Sequence, residues 1–306
     1  MGIRLFKEPK LVEPVFIACW PGIGNVGIMA VDMFRRLVTA EELGEIESWD
    51  FFYPRKVVIR NGELKDLNFP SNKFYFYKRT GGKDLLFFIG EEQPSDGGGV
   101  YAEGTKAYQM ANLVLEVAER FGCRRVYTSG AAVAPIHHTT RSRVWVVPNS
   151  EELLNEIKSY ENTVLMSEVE GRGGQGNITG LNGLLLGVAK KRGLEAICVM
   201  GEIPIYIHGF PIPYPKGSKA VLELLSSALD IRIPMDEINA LIQQSDSEIE
   251  SVYEKLPSEI REQLDKLKYV VYTKPSEPEP ITEEDKKKIL QEIDKLFKKD
   301  IGRDQF

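Results

Sequence analysis

Apolar residues recur along this chain in two alternating rhythms. Short unbroken apolar runs, the mark of strands buried on both faces, give way to stretches where apolar positions return every three or four residues. Val15-Phe16-Ile17-Ala18-Cys19-Trp20 is the first such run, and Ile28, Met29, Val31, Phe34, Leu37 and Val38 then follow at helical spacing. Leu85-Leu86-Phe87-Phe88-Ile89-Gly90 predicts a second buried strand. Residues 103–121 predict a helix with Tyr108, Ala111, Leu115, Ala118 and Phe121 along one stripe, closed by Gly122. Further strands are read at Phe74-Tyr75-Phe76-Tyr77, Arg125-Val126-Tyr127-Thr128-Ser129-Gly130, Val144-Trp145-Val146-Val147, Thr163-Val164-Leu165-Met166 and Ala196-Ile197-Cys198-Val199-Met200-Gly201. Helices are read over 181–191, ended by Gly193, and over 218–229. Asn61-Gly62 between Val57-Val58-Ile59-Arg60 and Glu63-Leu64 suits a type I′ hairpin turn. Strands alternating with helices predict an α/β fold, a mainly parallel central sheet flanked by helices in three layers.

The pattern changes near residue 232. Residues 233–273 carry no strand signal and read as amphipathic helices broken near Pro257. Residues 274–281 are rich in Pro and Glu and read as a linker. Over 282–306 the charged sequence places Ile289, Leu290, Ile293, Leu296 and Phe297 on one helical stripe. The expected organisation is therefore a core over 1–232, a helical region over 233–273, the linker, and a terminal amphipathic helix. An apolar stripe of that size is seldom left in water. It either binds a partner groove or packs back on its own domain or a neighbouring subunit.

Two glycine-rich turns stand between a strand-like and a helix-like run: Pro21-Gly22-Ile23-Gly24-Asn25-Val26-Gly27, and 171–180. Backbone N–H groups in such a turn can hold an anion, and the same glycines can simply let a helix pack close to a sheet. The candidate anion-binding groups are Gly22, Gly24, Asn25 and Gly27 in the first turn, and Arg172, Gly173, Gly174 and Asn177 in the second. Gly22, Gly24 and Gly27 have the G-x-G-x-x-G spacing of a dinucleotide turn. No P-loop lysine follows, and Asp50 is not cleanly placed at a strand end to take a ribose, so packing is the stronger reading. Glu91, Glu92 and Glu202 fall at expected strand C-termini, the edge where open α/β sheets bind ligands. Ser129, His137 and Glu202 could converge at that edge, but no nucleophile-elbow signature accompanies them, and no catalytic residue is assigned. On an extended chain the adjacent His137 and His138 would point to opposite faces, unsuited to one metal.

Composition narrows the choice. The chain has 306 residues, 42% hydrophobic and 27% charged, with a net charge of −6, which gives no electrostatic reason to expect nucleic acid or an anionic membrane as partner. Cys19, Cys123 and Cys198 are isolated, so neither a zinc site nor a disulfide framework is expected. No metal or cofactor is expected. The charged first ten residues lack the apolar core of a signal peptide, and no apolar run is long enough to span a bilayer. A cytoplasmic location is the expectation.

Several stretches, in order, carry a family resemblance. They are Trp20-Pro21-Gly22-Ile23-Gly24-Asn25-Val26-Gly27, Tyr53-Pro54-Arg55, and Gly90-Glu91-Glu92-Gln93-Pro94 after its strand. Val126-Tyr127-Thr128-Ser129-Gly130, Asn177-Ile178-Thr179-Gly180-Leu181-Asn182-Gly183, Val199-Met200-Gly201-Glu202 and Ser218-Lys219-Ala220-Val221-Leu222 follow. Over 15–233 the chain resembles the PAC2 (proteasome assembly chaperone 2) family. The resemblance implies a nucleoside phosphorylase-like three-layer fold, a homo-oligomer, and a non-enzymatic role binding protein partners such as proteasome subunits. An older ATP-grasp-like label in that family finds no support in these residues; the alternative is a small-anion or nucleoside/nucleotide-binding protein, or an enzyme of ATP-grasp-like or phosphorylase-like type, using the glycine turns. Members that dock on a proteasome ring through a tail end in hydrophobic-Tyr-any residue. This sequence ends Asp304-Gln305-Phe306 and has Val271-Tyr272-Thr273 internally, so docking by the tail is not expected and other partners stay open.

Overall fold

Every second residue of the central strands faces the same helical layer, and this alternation builds the core. In a computed structural model that describes residues 2–97, 102–169 and 174–273, nine strands form one sheet in the order β1-β3-β6-β7-β2-β8-β11-β9-β10. They are β1 (Ile3–Leu5), β2 (Val15–Cys19), β3 (Glu41–Ile46), β6 (Asn72–Tyr77), β7 (Leu85–Gly90), β8 (Arg125–Ala134), β9 (Val144–Pro148), β10 (Thr163–Leu165) and β11 (Glu195–Pro204). Ile17 and Cys19 of β2 and Phe87 of β7 pack under α1 (Val26–Leu37), α3 (Glu151–Ile157), α5 (Pro215–Ala228) and α6 (Asp236–Tyr253). Phe16, Ala18 and Phe88 face the other way, under α2 (Gly104–Arg120) and α4 (Gly180–Lys191). The three-layer α/β expectation holds.

The sheet is mixed. β7, β2, β8 and β11 are mutually parallel, as are β9 and β10. β1, β3 and β6 join antiparallel on one side, and β9 pairs antiparallel with β11 on the other. The parallel arrangement thus holds at the centre, where the continuous apolar runs lie, and gives way towards the edges.

Helix boundaries follow local chemistry. α2 and α4 close on Gly122 and Gly193, both in the left-handed region that a glycine adopts without strain. Pro215 opens α5 at a position where its missing N–H costs nothing. Tyr108, read as part of the α2 stripe, is half exposed instead; Ala107, Met110, Val114 and Val117 supply the buried face along with Ala111, Leu115 and Ala118. α6 and α7 (Ser258–Asp265) are separated near Pro257 as read, and Ile238 and Ile249 of α6 enter the core. Residues up to Tyr272 form one compact unit. The linker and the stripe of Ile289, Leu290, Ile293, Leu296 and Phe297 lie outside the described residues.

A separate two-stranded sheet, β4 (Lys56–Arg60) and β5 (Glu63–Asn68), realises the expected hairpin. Asn61 and Gly62 both take positive φ, as a type I′ turn requires.

Candidate functional site

β2 and β7 are parallel neighbours whose following helices leave to opposite faces, α1 to one and α2 to the other. Their C-terminal ends therefore splay, which is the topological switch point where open α/β sheets place ligands. A cavity of about 610 Å³ opens there. The loop after β2 (Gly22, Asn25), the loop after β7 (Glu91, Glu92) and the loop after β11 (His208, Phe210) line it.

The first glycine turn is shaped chiefly by packing. Gly24 takes φ of +56°, and a Cβ there would also meet Ile203 at 2.7 Å. A Cβ on Gly27 would stand 2.6 Å from the Ser129 carbonyl of β8, so only glycine lets α1 approach that strand. Asn25 is left-handed at the start of α1 and makes no side-chain cap. Gly22 differs. Its backbone is extended, and nothing lies within 4 Å of where its Cβ would be.

Glu91 and Glu92 do reach the cavity rim, but they share one cation. Arg55, at the base of the β4–β5 hairpin, donates from Nη1 to Glu91 at 2.9 Å and from Nε to Glu92 at 2.6 Å. Glu91 and Glu92 are the carboxylates among the described residues lining this cavity, and no lysine or arginine is among them.

Glu202 requires a correction. The apolar pattern ends this strand at Gly201, yet β11 continues to Pro204 and position 202 lies inside the sheet, fully buried. Its carboxylate accepts from the Arg143 N–H and from Trp145 Nε1, each at 2.9 Å, and from the Tyr272 hydroxyl. The Arg143 guanidinium lies 3.4 Å from it and 4.8 Å from the Tyr272 ring centre. Glu202 is thus the buried anchor for the segment that ends in Tyr272, which is stacked on Trp145. The tyrosine of the internal Val271-Tyr272-Thr273 triplet is held inside the fold.

The imagined convergence of Ser129, His137 and Glu202 is not made, because each polar group is engaged elsewhere or enclosed. The chain turns after Pro135 instead of staying extended, so His137 and His138 stack with ring centres 4.1 Å apart, contrary to the opposite-face expectation. His138 contacts the Tyr206 hydroxyl at 2.7 Å through Nδ1 and Glu250 at 3.1 Å through Nε2. His137 Nε2 lies 3.7 Å from Asp265, beyond hydrogen-bond distance, and Asp265 accepts from the Tyr253 hydroxyl. Burial first, then the neighbouring His138 and Lys268, push the His137 pKa down to about 4. The pair fastens α6 and α7 to the loop after β8. All three cysteines are buried and free, burial pushes each thiol up, and no cluster of potential metal ligands occurs among the described residues.

In the second glycine turn, Arg172 and Gly173 lie outside the described residues. Gly174 takes a positive φ, and Asn177 lines a second cavity of about 220 Å³ that shares Gly22, Ile23 and Gln93 with the first. Gln93, missed in the sequence, ties the junction together. Its Nε2 donates to the Pro21 carbonyl at 2.6 Å, and its Oε1 accepts from Ala102 N–H at 3.2 Å and from Leu181 N–H at 2.8 Å. One of the free amides in the first turn of α4, that of Leu181, is therefore already bonded to a neutral side chain.

This architecture recurs in known proteins. The chain is 27% identical to PbaB of Pyrococcus furiosus, an archaeal proteasome activator, with a TM-score of 0.68 over 82% of this chain and 98% of that one. PbaA of Pyrococcus furiosus, an archaeal homologue of a proteasome-assembly chaperone, shares the fold at 20% identity, with a TM-score of 0.60 over 87% of this chain and 96% of that one. An uncharacterised Methanocaldococcus jannaschii protein, MJ1210, is 26% identical over 251 residues, covering 80% of this chain and 87% of its own length. The PAC2 family model matches residues 16–253, the span that holds both cavities, the hairpin and the paired histidines, and the chain belongs to the PAC2 family.

Proposed function

We propose that this PAC2 protein is a homo-oligomeric scaffold that binds protein partners, with proteasome subunits as the clients, in the manner of an assembly chaperone. It works in the cytoplasm by surface recognition and needs no cofactor. One observation carries the reading. The β4–β5 hairpin pairs Val57 with Leu67 and Ile59 with Leu64, so four apolar side chains share one face. They are 55%, 41%, 67% and 65% exposed, respectively. A lone two-stranded hairpin is marginal in water, and an ordered apolar face on one is the mark of a covering protein surface. Two cross-strand apolar pairs form a patch complementary to itself under a two-fold rotation, so a second copy of the chain is the proposed cover. Arg55, clamped by Glu91 and Glu92, holds the hairpin base against the core and makes the arm a directed feature. The resemblance to PbaB supports proteasome subunits as clients.

Among the described residues no helix is long and apolar enough to cross a membrane. The client claim is tested by co-sedimenting the purified protein with proteasome core particles from the same source. Wild type is expected to co-sediment with them. A protein that stays in the supernatant at saturating particle concentrations contradicts the client assignment.

A further inference from the structure

The smaller cavity lies on the α2–α4 side of the sheet, over the C-terminal halves of β8 and β11. Trp145, Met166, Ile178 and Met200 give it apolar walls, and no acidic, basic or histidine side chain is among its described lining residues. Its volume of about 220 Å³ equals that of about seven waters of liquid, room for a single or fused ring.

Asn182, in the first turn of α4, faces this space. The residue is only 6% exposed, and its Oδ1 has no hydrogen-bond partner among the described residues. A buried carbonyl oxygen without a donor is costly, so such an atom marks where a partner belongs. Two glycines leave their backbones bare beside it. Gly22 has open space at its Cβ position. A Cβ on Gly130 would meet only Met200 at 3.7 Å and the Asn182 amide nitrogen at 3.8 Å, ordinary contact distances. Packing requires glycine at neither position, and close approach of another molecule is the usual remaining reason.

We propose that this cavity binds a small uncharged ring compound with a lactam edge, recognised by the Asn182 carboxamide. A carboxamide sets an acceptor beside a donor, and a lactam presents the complementary N–H and C=O in one plane. A carboxylate would set oxygen against oxygen with no cation among the described lining residues to offset it, and an ammonium would find no anion among them. The flat apolar ring would lie against Trp145 and the two methionine thioethers.

The test uses the full-length chain with 2-pyridone, uracil and hypoxanthine as probes and benzoate as the anionic control, followed by saturation-transfer NMR and calorimetry. At least one lactam probe is expected to bind wild type at millimolar concentration or better, and benzoate is not. Asn182→Leu and Gly22→Leu are each expected to weaken that binding at least about tenfold while the melting transition is kept. Should Asn182→Leu fail to fold, Gly22→Leu, which projects into open space, decides alone. The proposal is overturned if no lactam binds wild type, if the folded variants bind as tightly, or if benzoate binds as tightly as the lactams. The hairpin takes no part in this site, so the outcome is separate from that of the scaffold reading.

Discussion

Gly22 and Gly27 stand in one turn and are expected to answer substitution in opposite ways. At Gly27 a methyl group would press on the β8 backbone, which cannot yield as a flexible side chain would. Gly27→Ala is expected to cost about 1–3 kcal/mol in chemical unfolding. Gly22→Ala meets nothing and needs no change of φ, so it is expected to lie within about 0.5 kcal/mol of wild type. Equal effects of the two would contradict the packing assigned to this turn. The packing role of the turn was legible because glycine spacing at a strand-to-helix junction has a local cause. Gln93 and Asn182 stand within family-like stretches, but their roles were not legible: Gln93 bonds Pro21 and Leu181 far along the chain, and the burial of Asn182 depends on strands distant in sequence. Glu202 misled for a simpler reason: a strand that runs three residues further turns an edge acid into a buried one.

At the scale of elements, α6 and α7 are held through the histidine pair, and that makes their docking sensitive to pH. His137 has an ordinary pKa of 6.5 when unfolded and about 4 when folded. Between those values the unfolded chain binds the extra proton, so stability falls as pH drops from about 6.5 towards 4. The urea midpoint is expected to be lower at pH 5 than at pH 7.5, and His137→Gln is expected to flatten that difference. A wild-type midpoint unchanged between the two pH values would contradict the burial of a neutral His137. The stacking itself was invisible in sequence, since alternation holds only where the chain stays extended. The hairpin was the reverse case: Asn-Gly between apolar residues announced the turn, but its solvent-facing apolar side needed the structure. Arg55→Ala removes both bonds to Glu91 and Glu92. It is expected to lower hydrogen-exchange protection in residues 56–68 and leave the central strands protected. Unchanged protection in the hairpin would mean that Arg55 is not its anchor.

For the molecule as a whole, the α/β class followed from unbroken apolar runs at the sheet centre, where β7, β2, β8 and β11 are covered on both faces. The mixed edges did not follow, because Glu41–Ile46 is rich in glutamate and its pairing is set by neighbours rather than by its own pattern. Among the described residues the β4–β5 hairpin presents an exposed apolar face, and the scaffold we propose uses it to join copies of the chain. Light scattering on the eluting protein at micromolar concentration, for wild type and for the double substitution Ile59→Glu and Leu64→Lys, addresses this directly. Wild type is expected to show at least twice the 34.5 kDa chain mass, in a whole-number multiple, and the substituted protein a lower multiple with an unchanged melting transition. A wild-type protein that elutes strictly at 34.5 kDa, or a substituted one that keeps the wild-type mass, would contradict it.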